Sequence, residues 1–208
     1  VLKVLTENKV DFIFHAAAYK HVPLVELNPI SGVLNNIVST RTICEASKIA
    51  GLKKVVLISS DKAVRPTNIM GASKRISELI IQAYSAVSIQ EKNKIENNNT
   101  CFTMVRFGNV LWSSGSVAPL FIEQINSGGP VTITHKDITR YFMSIDEASN
   151  LVLQATFLSD GGEVFLLDMG TPLPIKKLAE QMIRLSGKTI KNKSNPDGDI
   201  ELVITGLR

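Results

Sequence analysis

The residues with the clearest potential for chemistry are Ser59, Ser60, Asp61 and Lys62, which supply two hydroxyls, a carboxyl and an amine in consecutive positions. They follow an apolar, mostly β-branched run over 55–58, which is typical of a strand covered on both faces. Ligands of open α/β sheets bind beyond the carboxyl ends of the strands. We therefore expect acid–base chemistry here, although a strand end capped by polar turn residues would give the same pattern.

An extended chain would separate these side chains, because alternate residues of a strand point to opposite faces. Asp61 would then face away from Ser60 and Lys62, so we predict that a turn begins directly after the strand. The charges add a second requirement. Asp61 and Lys62 favour each other's ionised forms, whereas an acid and a base must be neutral, and the neutral forms become accessible when water is excluded.

A helix is predicted to follow this turn. Pro66 and Asn68 indicate a loop, and the helix is expected to run from Gly71 to Ile89. Lys74 lies four residues after Met70, so the two side chains share one helical face. Met70 has no ionisable proton, whereas Lys74 has one.

The rest of the chain alternates predicted strands with predicted helices, which indicates an α/β fold. We expect a partial doubly wound parallel-sheet core over 1–110 and a smaller α/β lobe over 111–208. The expected strands are 11–15, 102–107, 131–134, 163–168 and 200–204, the helices 29–50, 117–127, 146–158 and 175–185, and the loops 19–29, 91–100, 111–115 and 192–199. The apolar side of the helix over 29–50 is expected to comprise Ile30, Val33, Leu34, Ile37, Ile43 and Ala46.

Composition narrows the class of protein. With 208 residues, 44% of them hydrophobic, the chain can bury a sizeable core. Its net charge of +4 is scattered, which favours anionic small-molecule ligands over nucleic acid. Cys44 and Cys101 show no metal-ligand spacing, so we expect no metal and buried thiols in a reducing cytoplasm. No apolar run is long enough to span a bilayer and no signal peptide is present, so a soluble segment is expected.

Several motifs carry a resemblance to a known family. They are Ser60-Asp-Lys-Ala-Val64, Pro66-Thr-Asn68, Met70-Gly-Ala-Ser-Lys-Arg75, His15-Ala-Ala-Ala-Tyr-Lys-His-Val-Pro23, Val105-Arg-Phe-Gly-Asn-Val110 and Thr139-Arg-Tyr-Phe-Met143. The chain resembles the extended short-chain dehydrogenase/reductases, and within them the UDP-N-acetylglucosamine 4,6-dehydratases of bacterial polysaccharide biosynthesis. The superfamily's catalytic Tyr-x-x-x-Lys appears here as Met70-x-x-x-Lys74, which is typical of one branch of these dehydratases.

The resemblance implies NAD as cofactor, a UDP-sugar as substrate and a Rossmann-like core. Asp61 matches the family's acid, Lys62 its base and Lys74 the lysine that binds the nicotinamide ribose, while Ser60 is our leading substitute for the missing tyrosine. The expected cofactor-binding residues are Ala16, Ala17, Ala18, Asn36, Ser59, Lys74 and Phe107. The expected substrate-binding residues are Lys20, Asn109, Arg140 and Arg208, and Arg106 is a further candidate for the diphosphate.

Folds of this type begin with a strand, a Gly-rich turn and a helix, and none of the 13 glycines forms GxxGxxG. We therefore expect this chain to belong to a longer, homo-oligomeric protein, cytoplasmic or the cytoplasmic domain of an inner-membrane protein with membrane helices upstream. By itself the chain is expected to bind NAD weakly. Two alternatives stay open: a UDP-sugar 4-epimerase, which shares fold and cofactor but lacks the Asp–Lys pair, and a non-catalytic dinucleotide-binding scaffold.

Overall fold

In this computed structural model, the core is a parallel sheet of four strands in the order β1-β2-β3-β8. The structure describes residues 1–92 and 99–206. The strands are β1 (Phe12–His15), β2 (Lys54–Ser60), β3 (Cys101–Phe107) and β8 (Val164–Leu166). Helices connect these parallel strands, which confirms the predicted α/β class with a partial doubly wound core. The loop predicted over 91–100 falls mainly outside the described residues.

The strand β2 lies inside this sheet and is deeply buried. Its residues Val55, Val56 and Leu57 are at most 1% exposed, as the apolar run predicts. β2 pairs with β1 on one side and with β3 on the other, which places Ser59 opposite Arg106. Because the strands are parallel, the polar residues at their carboxyl ends lie along one edge of the sheet.

The helices were predicted well where they are long. Their bounds are α1 (Leu2–Glu7), α2 (Val22–Leu27), α3 (Pro29–Val33), α4 (Ser39–Ala50), α5 (Ile69–Lys92), α6 (Val117–Asn126), α7 (Ile145–Leu158) and α8 (Ile175–Leu185). A π-helical turn, Leu34–Val38, joins α3 to α4, and a 3₁₀ turn, Asp61–Ala63, follows β2. No helix within 1–92 or 99–206 has both the length and the apolar composition needed to cross a membrane.

The longest helix, α5, buries polar residues against the sheet. Its side chains at Ser73, Lys74, Ser77 and Glu78 are 7% exposed or less, alongside the apolar Ile81. These positions recur at the three- and four-residue spacing of one helical face. Buried polar groups need hydrogen-bond partners, so the polar side chains on this face of α5 are expected to form hydrogen bonds inside the protein.

Residues 108–148 and those from Met169 onwards form a second compact unit. Its three-stranded parallel sheet has the order β10 (Ile190–Lys191), β11 (Ile200–Ile204), β5 (Val131–Ile133). α6 and α8 pack on this sheet and share a core with it: Ala118, Phe121, Ile125, Val131, Ile133, Ile175, Ala179, Met182, Ile183 and Ile200. Two short pairs that the sequence did not predict complete the unit, β4 (Asn109–Val110) with β7 (Phe142–Met143) and β6 (Thr139–Arg140) with β9 (Leu173–Pro174).

The first compact unit comprises Val1–Phe107 and Ser149–Asp168. Residues 149–168 lie inside the range predicted to be mainly the smaller lobe, interleaved with the core, and in the structure they belong to the first unit. In the structure β8 pairs in parallel with β3, and the ammonium group of Lys54 donates to the carbonyls of Thr156 and Ser159 at the end of α7. These contacts join residues between 60 and 105 positions apart and are not visible in the local sequence.

The loop predicted over 19–29 was wrong in its middle, because α2 occupies Val22–Leu27. Pro23 lies in the first turn of this helix, where its missing N–H costs nothing. Val25 is 2% exposed and anchors the short helix. A segment of six residues is too short to show helical periodicity in the sequence.

The apolar side predicted for the helix over 29–50 was wrong in its first half, whereas Ala46 is buried and Ile43 packs against the core. Ile30, Val33 and Leu34 are 75%, 38% and 56% exposed. The buried face is mainly polar or small, and it consists of Gly32, Asn36, Thr40, Cys44, Ala46 and Ser47. Cys44 is fully buried, and burial raises the pKa of its thiol to about 12, as expected of a structural thiol.

Candidate active site

Ser60, Asp61 and Lys62 converge on one carboxylate oxygen. β2 ends at Ser60, and the 3₁₀ turn begins with Asp61. Ser60 Oγ donates to Asp61 Oδ1 at 2.9 Å, and Lys62 Nζ donates to the same oxygen at 3.0 Å. Ser60 Oγ in turn accepts from the backbone N–H of Lys62. The turn predicted from the geometry of an extended strand is therefore confirmed, and it brings a hydroxyl, a carboxylate and an amine together.

The Asp61–Lys62 pair is partly accessible to water. The Asp61 side chain is 42% exposed and that of Lys62 is 33% exposed. An ion pair of this kind contributes little to folding stability, so stability alone does not account for it.

Lys74 is the buried amine beside this turn. It is 7% exposed, and Nζ donates to the carbonyl oxygen of Ile58 at 2.9 Å. Burial lowers the pKa of Lys74 to about 8, and the negative charge of Glu78 partly opposes that shift. Near neutral pH the amine can therefore both hold and release a proton.

The start of α5 is packed directly against the backbone of the turn. A Cβ atom at Gly71 would overlap the carbonyl oxygen of Lys62, and it would lie 3.2 Å from Cβ of Pro66. The N–H of Gly71 donates to Asn68 Oδ1 at 2.8 Å, which caps the first turn of the helix. Met70 is 2% exposed and is a packing residue with no proton to exchange.

His15 ends β1 inside the protein, next to the small residues Ala16, Ala17 and Ala18. Ala16 and Ala17 are exposed and leave the backbone open to approach. His15 is 3% exposed, and its Nε2 lies 3.0 Å from Thr40 Oγ1. Within the described part of the chain its Nδ1 is buried without a hydrogen-bond partner. A polar ligand at the tip of β1 would satisfy that nitrogen, so this edge fits the expected dinucleotide.

The buried His15 should make the folding stability of the protein depend on pH. Burial, and secondarily the charge of Lys74, lowers the pKa of His15 to about 4 from its ordinary 6.5. The unfolded chain therefore binds a proton first, and stability falls as the pH drops from about 6.5 to 4. The loss attributable to this group is on the order of 3 kcal/mol. The free energy of unfolding can be measured by urea unfolding of the full-length protein at several pH values. Between pH 6.5 and pH 4 it should depend less steeply on pH in His15→Gln than in the wild type.

His135→Gln is the matched control, because it removes an exposed histidine without opening a buried site. It should leave the difference in unfolding free energy between pH 6.5 and pH 4 unchanged. If His15→Gln keeps the wild-type slope, the buried histidine does not titrate as we describe.

Asn36 lies in the π turn and is 1% exposed. Its Oδ1 accepts from the N–H of Tyr19 at 2.7 Å and from Asn35 Nδ2 at 3.1 Å, while its Nδ2 donates to Tyr19 O and to Ser73 Oγ. π turns are frequent at functional sites. The expected direct contact of Asn36 with the cofactor stays a prediction, and the amide, with four partners, has no unused hydrogen-bonding group for it.

The remaining residues expected near the cofactor have distinct surroundings. Ser59 is buried, and its hydroxyl donates to Glu78 Oε1 at 2.6 Å. Phe107 ends β3 opposite Ser60, and Lys20 is exposed in the segment before α2. Arg106 donates from Nε and Nη2 of its guanidinium to Glu78, and its expected role at the diphosphate stays a prediction. These details were invisible in sequence, where nothing marks Glu78 as buried.

Two of the expected substrate-binding residues lie in the second unit. Asn109 donates its backbone N–H to Tyr141 O, and its side-chain Oδ1 is buried without a partner in the described residues. Arg140 is exposed and donates to the carbonyl of Thr139. Arg208 lies outside the described residues. The substrate-binding roles of these residues and of Lys20 stay predictions.

Comparison with known proteins identifies the family. A family model described as "Polysaccharide biosynthesis protein" matches residues 1–208. The chain belongs to this family. This membership confirms the resemblance drawn from the motifs around Asp61 and Lys74.

Individual members and neighbours show the range of similar proteins. The capsular polysaccharide biosynthesis protein CapD of Staphylococcus aureus is 52% identical over 208 residues, which is all of this chain and 32% of CapD. A UDP-glucose 4-epimerase of Rickettsia bellii is 39% identical over 157 residues, 76% of this chain and 44% of the epimerase. The X-ray structure of Pen from Bacillus thuringiensis matches with a TM-score of 0.85 and 35% identity, over 99% of this chain and 59% of Pen. The chain thus spans about a third of the length of CapD.

Proposed function

We propose that the full-length protein expected to contain this chain catalyses the NAD-dependent 4,6-dehydration of a UDP-N-acetylhexosamine, with UDP-N-acetylglucosamine as the expected substrate. The observation that carries this proposal is the convergence of Ser60 and Lys62 on Asp61 Oδ1 at the end of β2. Such a reaction would make a 4-keto-6-deoxy sugar nucleotide, which suits a family of polysaccharide biosynthesis proteins.

The first unit offers groups suited to NAD. The small residues 16–18 allow close approach to the backbone at the tip of β1, and His15 Nδ1 is a buried nitrogen without a partner in the described chain. Lys74 offers an ammonium group for ribose hydroxyls. When bound, NAD would accept a hydride from C4 of the sugar and supply one to C6.

The hydrogen bonds of the turn suggest an order of proton transfers. Removing a hydride from C4 also frees the proton of the C4 hydroxyl. Ser60 can accept that proton while passing its own to Asp61, to which it already donates. Asp61 enters this step as a carboxylate and leaves it as the neutral acid.

The neutral acid then changes the properties of its neighbour. With Asp61 protonated, Lys62 no longer faces a negative charge. It passes one ammonium proton to solvent before it acts as the base, and it takes one back from solvent after the product has left. Lys62 removes the C5 proton, and Asp61 protonates the departing C6 oxygen. The water released thus consists of the C6 hydroxyl and the proton from the C4 hydroxyl, and Lys62 returns its proton to C5. Each group ends in its starting state.

A UDP-sugar 4-epimerase is the second candidate, and the similarity to the Rickettsia bellii epimerase favours it. Epimerisation needs the C4 steps but no elimination at C5 and C6. The hydrogen-bonded acid and amine of Asp61 and Lys62 would then have no role in the reaction. We therefore favour the dehydratase over both the epimerase and a non-catalytic scaffold.

Incubating the full-length protein with NAD and UDP-N-acetylglucosamine distinguishes the three candidates by mass spectrometry and chromatography. Dehydration gives a product lighter by one water. An epimerase gives an isomer of unchanged mass and altered retention, and a scaffold returns the sugar nucleotide unchanged. Either of the last two results would reject the dehydratase.

A further inference from the structure

Glu78 is a charged residue with no exposed side-chain surface. Its Oε1 accepts from Ser59 Oγ at 2.6 Å and from Arg106 Nε at 2.7 Å. Its Oε2 accepts from Arg106 Nη2 at 2.5 Å and from Arg75 Nη1 at 2.9 Å. Burial alone would raise the pKa of Glu78, but the hydrogen bonds from Arg106, Ser59 and Arg75 outweigh it and lower the pKa. Four charge-assisted or short bonds fix both oxygens of this anion.

These bonds tie three elements together just before the acid–base turn. Glu78 lies one helical turn after Lys74 on α5, and the two side chains reach successive residues of β2: Lys74 bonds the carbonyl of Ile58, and Glu78 bonds the hydroxyl of Ser59. Arg106 stands opposite Ser59 on β3. The next residue of β2 is Ser60, where the site begins.

We propose that Glu78 is a positioning residue, which holds the end of β2 through Ser59 and Arg106 and thereby sets the placement of the acid–base turn relative to Lys74. This inference rests on the proposed function, because the turn is given its chemistry there. Glu78 itself does not reach the reacting atoms. A displacement of about 1 Å in such a site can cost 10²-fold in rate. A residue that fixes the strand end can therefore have a large effect on the rate without contacting the reacting atoms.

Glu78 also has an electrostatic effect on Lys74. It is the anion that opposes the lowering of the Lys74 pKa by burial. The other ionisable groups on the elements around Lys74 are His15 on β1, Asp61 and Lys62 in the turn, Arg106 on β3 and Arg75 on α5. Replacing Glu78 by Gln removes the opposing charge and leaves the shape nearly unchanged, so the titration of Lys74 should move to lower pH.

The test uses Glu78→Gln in the full-length protein. We expect kcat for dehydration to fall by about 10- to 100-fold, with KM changed much less, because substrate contacts are retained. In the same variant, the pH midpoint for trace acylation of Lys74, followed by peptide mass spectrometry, should move to lower pH. A residue that only stabilised the fold would change neither kcat in the folded protein nor the titration of Lys74.

Glu163→Gln is the matched control. Its carboxylate likewise accepts several hydrogen bonds, here from the backbone N–H groups of Asp160 and Gly161, but it caps a turn before β8. The hydrogen-bond partners found for it in the described residues lie in that turn and on β3. Glu163→Gln should leave kcat and the Lys74 midpoint unchanged. An unchanged kcat or an unchanged Lys74 midpoint in folded Glu78→Gln would overturn the proposal.

Ser59→Ala covers the case in which Glu78→Gln does not fold. It removes one hydrogen bond at the strand end and leaves the Glu78–Arg106 pair in place. We expect a several-fold lower kcat and an unchanged Lys74 midpoint, and a wild-type kcat would overturn the proposal. If the wild-type protein does not dehydrate the sugar nucleotide, the proposed function fails by itself, while the titration of Lys74 still tests the influence of Glu78.

Discussion

Replacing Asp61 by Asn in the full-length protein is expected to lower the rate of dehydration by about 10²- to 10⁴-fold, the usual cost of losing a positioned acid or base. The amide keeps the shape of the side chain, but it can neither take the proton relayed by Ser60 nor deliver one to the C6 oxygen. Lys62→Ala should cause a loss of similar size. It should also abolish exchange of the C5 hydrogen with deuterated solvent, which NMR of the recovered sugar nucleotide would measure.

Asp11→Asn is the matched control for Asp61→Asn. Asp11 also pairs with a lysine, with its carboxylate 3.2 Å from Lys53 Nζ, but both side chains of that pair are more than half exposed. Breaking it should change neither the rate nor the binding of NAD. Near-native dehydration by Asp61→Asn would remove Asp61 from the mechanism. Continued C5 exchange in Lys62→Ala would assign the base to another residue.

Gly71→Ala should be nearly as damaging, although Gly71 carries no functional group. The added methyl would overlap the carbonyl oxygen of Lys62, so either the turn or the start of α5 must move. Overpacking of this kind costs about 1–3 kcal/mol in stability. Because Lys62 would move with its carbonyl, we expect kcat to fall by about 10²-fold. Thermal unfolding and steady-state kinetics on the same preparation would measure the two effects.

Gly32→Ala separates displacement of the turn from overpacking in general. A Cβ at Gly32 would lie 2.6 Å from Cγ1 of Val25, a side-chain methyl between α2 and α3 rather than backbone at the site. This variant should lose stability and retain most of its kcat. Equal losses of kcat in both glycine variants would mean that packing, and not the position of the Lys62 carbonyl, explains the effect.

The central strand and the turn after it could be predicted because their signals are local. The β-branched run over 55–58 indicates a buried strand, and the need for Ser60, Asp61 and Lys62 to converge requires a turn between adjacent residues. The fold class followed from alternating patterns of the same local kind. The family's motifs supplied the roles of these residues, which spacing alone left open.

The environment of Glu78 could not be predicted, because it depends on partners far along the chain. In the sequence, Glu78 looks like an ordinary glutamate of a helix. In the structure it contacts Arg106 of β3, which lies 28 positions further along the chain. For the same reason, the sequence shows the guanidinium of Arg106 but not the Glu78 carboxylate to which its Nε and Nη2 donate. The hydrogen bond at His15 Nε2 likewise depends on α4, which supplies Thr40.

The π turn at Leu34–Val38 also affects how this protein can be aligned with others. A π turn contains one residue more than an α turn would at the same place, and each residue of an α-helix advances the side chains by about 100°. Removing one residue from this turn would therefore rotate α3 by that angle relative to α4. In a relative without the extra residue, positions equivalent to Ile30 would face a different direction while those equivalent to Thr40 stayed in place. Helical periodicity across this joint should be counted separately on its two sides, and a one-residue gap placed anywhere else in the helix would misassign the buried face.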